Sequence, residues 1–210
     1  MKRLFTILMV LACLATVAQE QIHVGDIYCT DNTAVSHENF AASGKTALGI
    51  VFYVDNSQQH GWALALNDAG NGLMAWGDIE SLCYLNSYNS NPQYVCYDTI
   101  GAARCDSIVR TAQGIQMNLS VYATAVNAAM QNGAGWYLPS IGQLVILYAN
   151  MPEVNAALDA CAGSRMNGYQ YWSCTEENYS VIGAWVMNYD GAVISTPKGT
   201  SAKVRAIMNF

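Results

Sequence analysis

Beyond residue 18 the chain opens on an alternation: Ile22, Val24 and Ile27-Tyr28 are separated by polar neighbours, which predicts an extended entry strand over 19–30. Residues 31–46 are polar and small and read as a loop. Ala47 to Val54 (A-L-G-I-V-F-Y-V) is rich in β-branched and aromatic residues and is broken by Asp55-Asn56-Ser57. His60 to Leu66 (H-G-W-A-L-A-L) is a second such run, so the pair predicts a hairpin. Leu73 to Trp76 predicts a short third strand.

The period then changes. Ile100, Ala103, Ile108 and Ala112 mark one face of a helix over 100–112. Leu119, Tyr122, Ala123, Val126 and Met130 keep helical spacing over 119–131, with Asn118 to cap the start and Asn132-Gly133 to end it. Ser140 and Gln143 have capping-box spacing just before Leu144, Leu147 and Tyr148, so a helix begins after Pro139 and stops near Pro152. Residues 153–161 can add a turn or two. The end of the chain reads as strand: Tyr171 to Cys174, Ala184 to Asn188, Ala192 to Thr196 and Lys203 to Phe210, with Asp190-Gly191 as a hairpin signal. Strands, then two or three helices in the middle, then strands predict an α+β fold with antiparallel strands.

The first eighteen residues carry a different pattern. Met1-Lys2-Arg3 is a short basic region, followed by an apolar stretch of about a dozen residues, the layout of a secretory signal peptide. A membrane-spanning helix needs about 20 apolar residues, more than this stretch offers. Thr16-Val17-Ala18 predicts a cut before Gln19. A competing reading takes Val10-Leu11-Ala12-Cys13 as a lipoprotein box with Cys13 lipidated. The cut after Ala18 is preferred, because the apolar core before Cys13 would be very short. The expectation is an exported protein, secreted, periplasmic or at the cell surface.

Export changes how charge and cysteine are read. Lys2 and Arg3 fall in the leader, leaving seven cations against fifteen acids, a net charge of −8. So acidic a chain is a poor partner for nucleic acid and for anionic lipid, both of which bind through Lys and Arg. Removing Cys13 leaves Cys29, Cys83, Cys96, Cys105, Cys161 and Cys174, an even number that permits three disulfides in an oxidising compartment. Proximity in sequence points to pairing within Cys83, Cys96 and Cys105, and between Cys161 and Cys174. The alternative is that several are buried free thiols. No C-x-x-C pair exists, and His23, His37 and His60 lie far from the later cysteines, so no metal site is expected.

Catalytic signals are weak. Ser43-Gly44-Lys45-Thr46 resembles the end of a phosphate loop, but Asn39 stands where the first glycine belongs and a β run follows. There is no G-x-S-x-G and no H-E-x-x-H. Glu176-Glu177 would face opposite sides of a strand. We therefore expect neither an enzyme nor a cofactor. Binding chemistry is better represented. Tyr, Asn and Ser crowd residues 84–97, including Tyr88 and Tyr94, and recur at Asn178-Tyr179-Ser180 and Asn188-Tyr189-Asp190. Tyrosine offers large rigid contact area, and Asn and Ser offer adaptable hydrogen bonds, the chemistry of antibody contact loops.

Four motifs in the second half carry a resemblance. Gly135-Trp136-Tyr137-Leu138-Pro139-Ser140-Ile141-Gly142-Gln143-Leu144 is similar to W-x-L-P-[ST]-x-x-E-L, and Tyr171-Trp172-Ser173-Cys174-Thr175-Glu176 to Y-W-S-S-T-E. The run Ala184 to Gly191 and the closing Val204-Arg205-Ala206-Ile207 follow in the same order. Together they resemble the Lcl C-terminal-like family of bacterial exported proteins, a variant of the C-type lectin-like fold, over about residues 99–210. The resemblance implies one C-type lectin-like domain over 19–210, with an N-terminal β extension at 19–80. It implies that Trp136, Leu138, Trp172 and Val204 are core. Tyr169, Asn178, Tyr179, Asn188, Tyr189, Asp190 and Lys198 would be exposed on a surface that binds an extracellular glycan or protein.

Gln143 replaces the family's Glu, which puts a pairing with the V-R-A arginine in doubt, and Cys174 replaces Ser, which favours a bridge to Cys161. The lectin calcium motifs E-P-N and W-N-D are absent. Similar regions also serve as hypervariable targets of diversity-generating retroelements, a version that requires a near-identical template repeat beside the gene. The function expected is a non-catalytic binding or adhesion module. The alternative is a structural or assembly component of the cell surface without a small ligand.

Overall fold

The computed structural model describes residues 21–70, 72–78, 91–166, 168–177 and 181–210. They form an α+β fold with two antiparallel sheets. The first half contributes β1 (Ile27–Cys29), β2 (Ala34–Val35), α1 (His37–Ser43), β3 (Ala47–Val54), β4 (Gly61–Ala65) and α2 (Pro92–Val95). The helical middle contributes α3 (Gly101–Gly114), α4 (Leu119–Tyr122), α5 (Thr124–Met130), β5 (Trp136–Tyr137), α6 (Ile141–Ala149) and α7 (Met151–Ala160). The end contributes β6 (Tyr171–Glu176), β7 (Gly183–Met187), β8 (Val193–Pro197) and β9 (Ile207–Asn209).

One sheet runs β2-β1-β3-β4-β9-β5 and the other β6-β7-β8. The hairpin of β3 and β4 forms as its β-branched and aromatic runs predict, with Gly49 opposite Ala65 and Val54 opposite Gly61. Helix α6 touches both sheets, and its apolar residues Ile141, Leu144 and Leu147 are buried between them. Trp136, Leu138, Trp172 and Val204 are all buried, as the motif resemblance implies.

Several elements depart from the sequence pattern for identifiable reasons. The entry strand shrinks to β1, because Gly25 takes a left-handed φ of 89° and turns the chain there. The 31–46 loop contains β2 and α1, a seven-residue helix with no buried residue and hence no apolar stripe to find. Residues 73–76 form an isolated bridge, Met74 to Ala202, in place of a strand. The final strand is confined to β9. The segment before it is stitched to residues 65–69 instead, with Ala65 N–H donating to Ala206 O and Ala69 N–H to Val204 O. Pro152 opens a second helix, α7, near its N-terminus, where a missing N–H costs nothing.

The helix expected over 119–131 is cut in two at Ala123, whose φ and ψ are −142° and 74°. The backbone of Trp76–Asp78 docks into the cut. Asp78 N–H donates to Tyr122 O at 3.1 Å and Ala125 N–H donates to Trp76 O at 2.9 Å, so both interrupted helix groups are satisfied. Gly77 permits this approach: a Cβ there would lie 2.4 Å from Tyr122 O. Two tryptophans hold the segment on β6. The Trp76 indole donates to Ser173 O at 2.8 Å and the Trp172 indole to Met74 O at 2.9 Å.

Candidate functional site

The register of the three-stranded sheet defines two ends. Tyr171 of β6 faces Met187 of β7 at one end, and Glu176 faces Ala184 at the other. At about 3.3 Å per residue, a six-residue strand separates the ends by roughly 17–20 Å.

The Tyr171 end carries an apolar cleft of about 30 Å³. Leu144 and Leu147 of α6 and three methionines, Met151, Met166 and Met187, supply its apolar walls. Tyr148, Tyr169, Tyr171 and Tyr189 supply its rings, with Tyr169 45% and Tyr189 65% exposed. A pocket for a whole small molecule measures about 300–1,000 Å³, so this one admits a single group, with the surrounding rings left to cover the rest.

The sequence builds this rim locally. Asn188 to Ala192 close the β7–β8 hairpin, with Asn188 N–H donating to Ala192 O and Gly191 N–H to Asn188 O. Gly191 has φ 85°, and a Cβ there would lie 2.4 Å from the Tyr148 ring, so glycine serves both the turn and the packing. Tyr148 OH donates to Tyr189 O at 3.3 Å and ties α6 to the hairpin. Asp190 is exposed, and its carboxylate accepts from Ala192 N–H at 3.0 Å, which makes it a turn residue. Asn188 lines the cleft, and its side-chain Oδ1 is buried with no hydrogen-bond partner.

Behind the cleft lies a charged support. Asp68 accepts from Arg205 Nε at 2.7 Å, from Lys203 Nζ at 2.7 Å and from Tyr171 OH at 3.2 Å. Arg205 is fully buried, and its remaining N–H groups reach the carbonyls of Ala65, Leu66 and Ser164. Lys203 Nζ sits 4.0 Å from the Tyr169 ring centroid, which orients that ring. Burial, and then the Asp68 carboxylate, push the Tyr171 phenol well above its ordinary pKa, so it stays a hydrogen-bond donor.

Of the residues singled out in the sequence, the structure therefore brings Tyr169, Asn188 and Tyr189 together. Lys198 is a correction. It is fully buried at the other end of the sheet, paired with Glu176 and with its ammonium 4.4 Å from the Trp76 ring centroid. It follows β8 directly, where a surface loop was expected, but a carboxylate and an indole face enclose its charge. Tyr94 is exposed in α2 and does not line the cleft. Tyr88, Asn178, Tyr179 and Cys83 lie outside the described residues.

The Cys161 to Cys174 bridge is also corrected. Both are free thiols, as are Cys29 and Cys105. Cys174 points from β6 into α3, where its Sγ lies 3.7 Å from Gly101 O and it meets Cys105. Cys161 ends α7, within electrostatic reach of Cys29. Burial pushes the Cys174 and Cys29 thiols upward. Cys96 is half-buried just after α2.

Gln143 takes no part in holding the V-R-A arginine, whose carboxylate is Asp68. The Gln143 Oε1 accepts from Ser140 N–H at 3.0 Å, its amide donates to Tyr137 OH at 3.1 Å, and Ser140 Oγ donates to Asp98 O. Asp98 itself is buried, pairs with Arg104 and accepts from Thr175 Oγ1. Among the described residues no group of three or more His, Cys, Asp or Glu is placed to hold a metal ion, and no helix is long and apolar enough to cross a membrane.

Sequence reasoning missed Tyr148, Asp68 and the three methionines. Tyr148 stood in the apolar run that marks the helix after Pro139, with nothing to set it apart as a site residue. Asp68 and the methionines become neighbours only through contacts across the fold. No family model matches the chain, and no curated protein matches it.

Proposed function

We propose that the chain is an exported, non-catalytic binding module of the C-type lectin-like kind, and that its contact surface is the tyrosine-rimmed cleft at the β7–β8 hairpin. The observation that carries this reading is the convergence of two exposed tyrosines, Tyr169 and Tyr189, on an apolar floor. Exposed rings over a desolvated pocket are the usual make-up of an interface hot spot.

The lining favours a protein ligand over a glycan. A sugar presents several hydroxyls, and each wants a partner once it leaves water. The cleft offers leucine and methionine side chains and few polar atoms besides the Asn188 amide. An apolar side chain of a protein partner fits it better, and flexible thioethers can mould themselves around such a group.

The test is an array carrying glycans and peptides of extracellular proteins, probed with the mature protein and with Tyr169→Ala and Tyr189→Ala. Binding is expected at peptide spots with large apolar residues. Each substitution should weaken it about tenfold or more, the scale of a hot-spot truncation. Binding confined to glycans, or unmoved by both substitutions, would refute the reading. An intact-mass measurement of the protein isolated from its native cell reads out the leader cut before Gln19 and lipidation at Cys13 together.

A further inference from the structure

We infer that β8 is a docking edge for a second copy of this chain, the two β8 strands pairing antiparallel about a two-fold axis at Ile194 and joining two three-stranded sheets into one. The ladder shows which groups are free to do so. Asn188 N–H donates to Ala192 O, and Lys198 N–H donates to Ile182 O. Between these two bonds the register of β7 on β8 runs without a bulge. Bonded and non-bonded pairs alternate along an antiparallel ladder, so Ile194 and Thr196 bond β7. Val193 and Ser195 turn their N–H and C=O groups the other way, and among the described residues those groups have no backbone partner.

The other edges of the two sheets are short or covered. β2 and β5, which end the larger sheet, have two residues each. The outer side of β6 is stitched to other backbone, with Trp172 N–H donating to Lys203 O and Cys174 N–H to Pro139 O. β8 has five residues, none of them charged. A charged side chain or a bulge is the usual guard of an open edge, and β8 has neither; its one guard is Pro197, at its end.

The strand fits itself. With Ile194 opposite Ile194 of the second copy, Val193 falls opposite Ser195 of that copy and Ser195 opposite its Val193. Each of these two pairs exchanges both N–H···O bonds, which satisfies every outward group of Val193 and Ser195 on both copies. The Ile194 side chains meet as a β-branched cross-strand pair. Pro197 falls opposite Gly191 of the second copy, in the hairpin turn, where no ladder bond is due. A contact that uses the same patch on both copies closes on itself, so the pairing stops at two. The axis stands perpendicular to the sheet, and both clefts therefore open on one face. That bivalence, unlike the pairing, rests on the cleft being the binding surface.

The experiment is sedimentation velocity on the mature protein across micromolar concentrations, where the unaltered chain should reach twice its own mass. Ser195→Pro removes an N–H that bonds nothing within one copy. It should keep the monomer's circular dichroism and weaken the dimer about tenfold to a hundredfold, because half of the ladder bonds between copies are lost. Ile194→Cys and Ser195→Cys, each treated with oxidised glutathione, read the register. Facing Cα atoms at position 194 lie about 4.5 Å apart, within disulfide reach, so Ile194→Cys should link to itself in a mapped peptide and Ser195→Cys should not. A monomer at every concentration overturns the proposal, including one that captures a foreign extended peptide at β8. A dimer unmoved by Ser195→Pro and unlinked through position 194 overturns it too. The mass of the unaltered chain and the cross-link decide the matter even if Ser195→Pro folds poorly. The glycan and peptide array reads the cleft separately, so a dimer that binds no peptide refutes the cleft and leaves the pairing standing.

Discussion

Asp68 is the residue whose loss should be felt most. It is the only carboxylate bonded to Arg205 among the described residues, and Arg205 has no exposed surface. Asp68→Asn keeps the shape and one acceptor but removes the charge. Breaking a buried ion pair from one side costs about 3–5 kcal/mol, because a charge is left uncompensated. Three carbonyls, those of Ala65, Leu66 and Ser164, still receive the guanidinium, which places the cost near the lower end. Lys203 is partly exposed and adds at most about 1 kcal/mol.

The expected loss is therefore about 3 kcal/mol. It can be measured by urea unfolding, where a slope of about 2 kcal/mol/M turns it into a midpoint about 1.5 M lower. Arg205→Met alone should also destabilise, while the double variant should be much closer to wild type than the sum, since neither charge is then left alone. A loss under about 1 kcal/mol in Asp68→Asn, with no coupling in the double variant, would show that the carbonyls alone sustain Arg205 and that the charged support behind the cleft is not needed.

Other outcomes follow from single contacts. Gly77→Ala should cost about 2–4 kcal/mol in the same assay, because its Cβ would press on backbone at Tyr122 and Ala123 and break two hydrogen bonds; an unchanged midpoint would show that the helix cut tolerates spreading. Burial raises the Tyr171 phenol so that it stays neutral when folded, whereas in the unfolded chain it titrates near the ordinary tyrosine value of about 10. The unfolded state thus binds fewer protons above pH 10, and stability should fall as pH rises through that range, by at most about 1.4 kcal/mol per unit from this group. Tyr171→Phe should flatten that part of the curve, and a slope unchanged by the substitution would refute the assignment. In iodoacetamide labelling of the folded protein, half-buried Cys161 should react before fully buried Cys174, and a non-reducing digest should contain no peptide joining the two.

The fold was readable where one local signal dominates. β3 and β4 announce themselves by β-branched runs, α6 by its capping box, and the β7–β8 hairpin by Asp190-Gly191. The signal failed where a distant segment supplies the partner. The helix over 119–131 has unbroken spacing, and only the insertion of Trp76–Asp78 cuts it. Lys198 has nothing in its neighbours to mark it as buried, because Trp76 lies more than a hundred residues earlier. The site was legible in part for the same reason. Asn188 and Tyr189 stood out by composition and Tyr169 by the motif resemblance, in chain segments that the β6–β7 pairing brings together. The methionine floor and the Asp68 support depend on contacts across the whole chain. The cysteines show the opposite error, since closeness in sequence pointed to Cys161 for Cys174 while the fold gives it Cys105.

The last strand has a consequence for timing. β9 lies in the interior of the six-stranded sheet, with Trp62 opposite Asn209 on one side and Trp136 opposite Met208 on the other. Phe210 and Gly61 exchange both backbone hydrogen bonds at the sheet's end. Only β9 joins the edge strand β5 to the rest of the sheet, so β5 cannot take its place before Ile207–Asn209 have paired, and such distant pairings form slowly. Until β9 is in place β5 has no partner strand, and its Trp136 and Tyr137 wait on residues about seventy positions further along the chain.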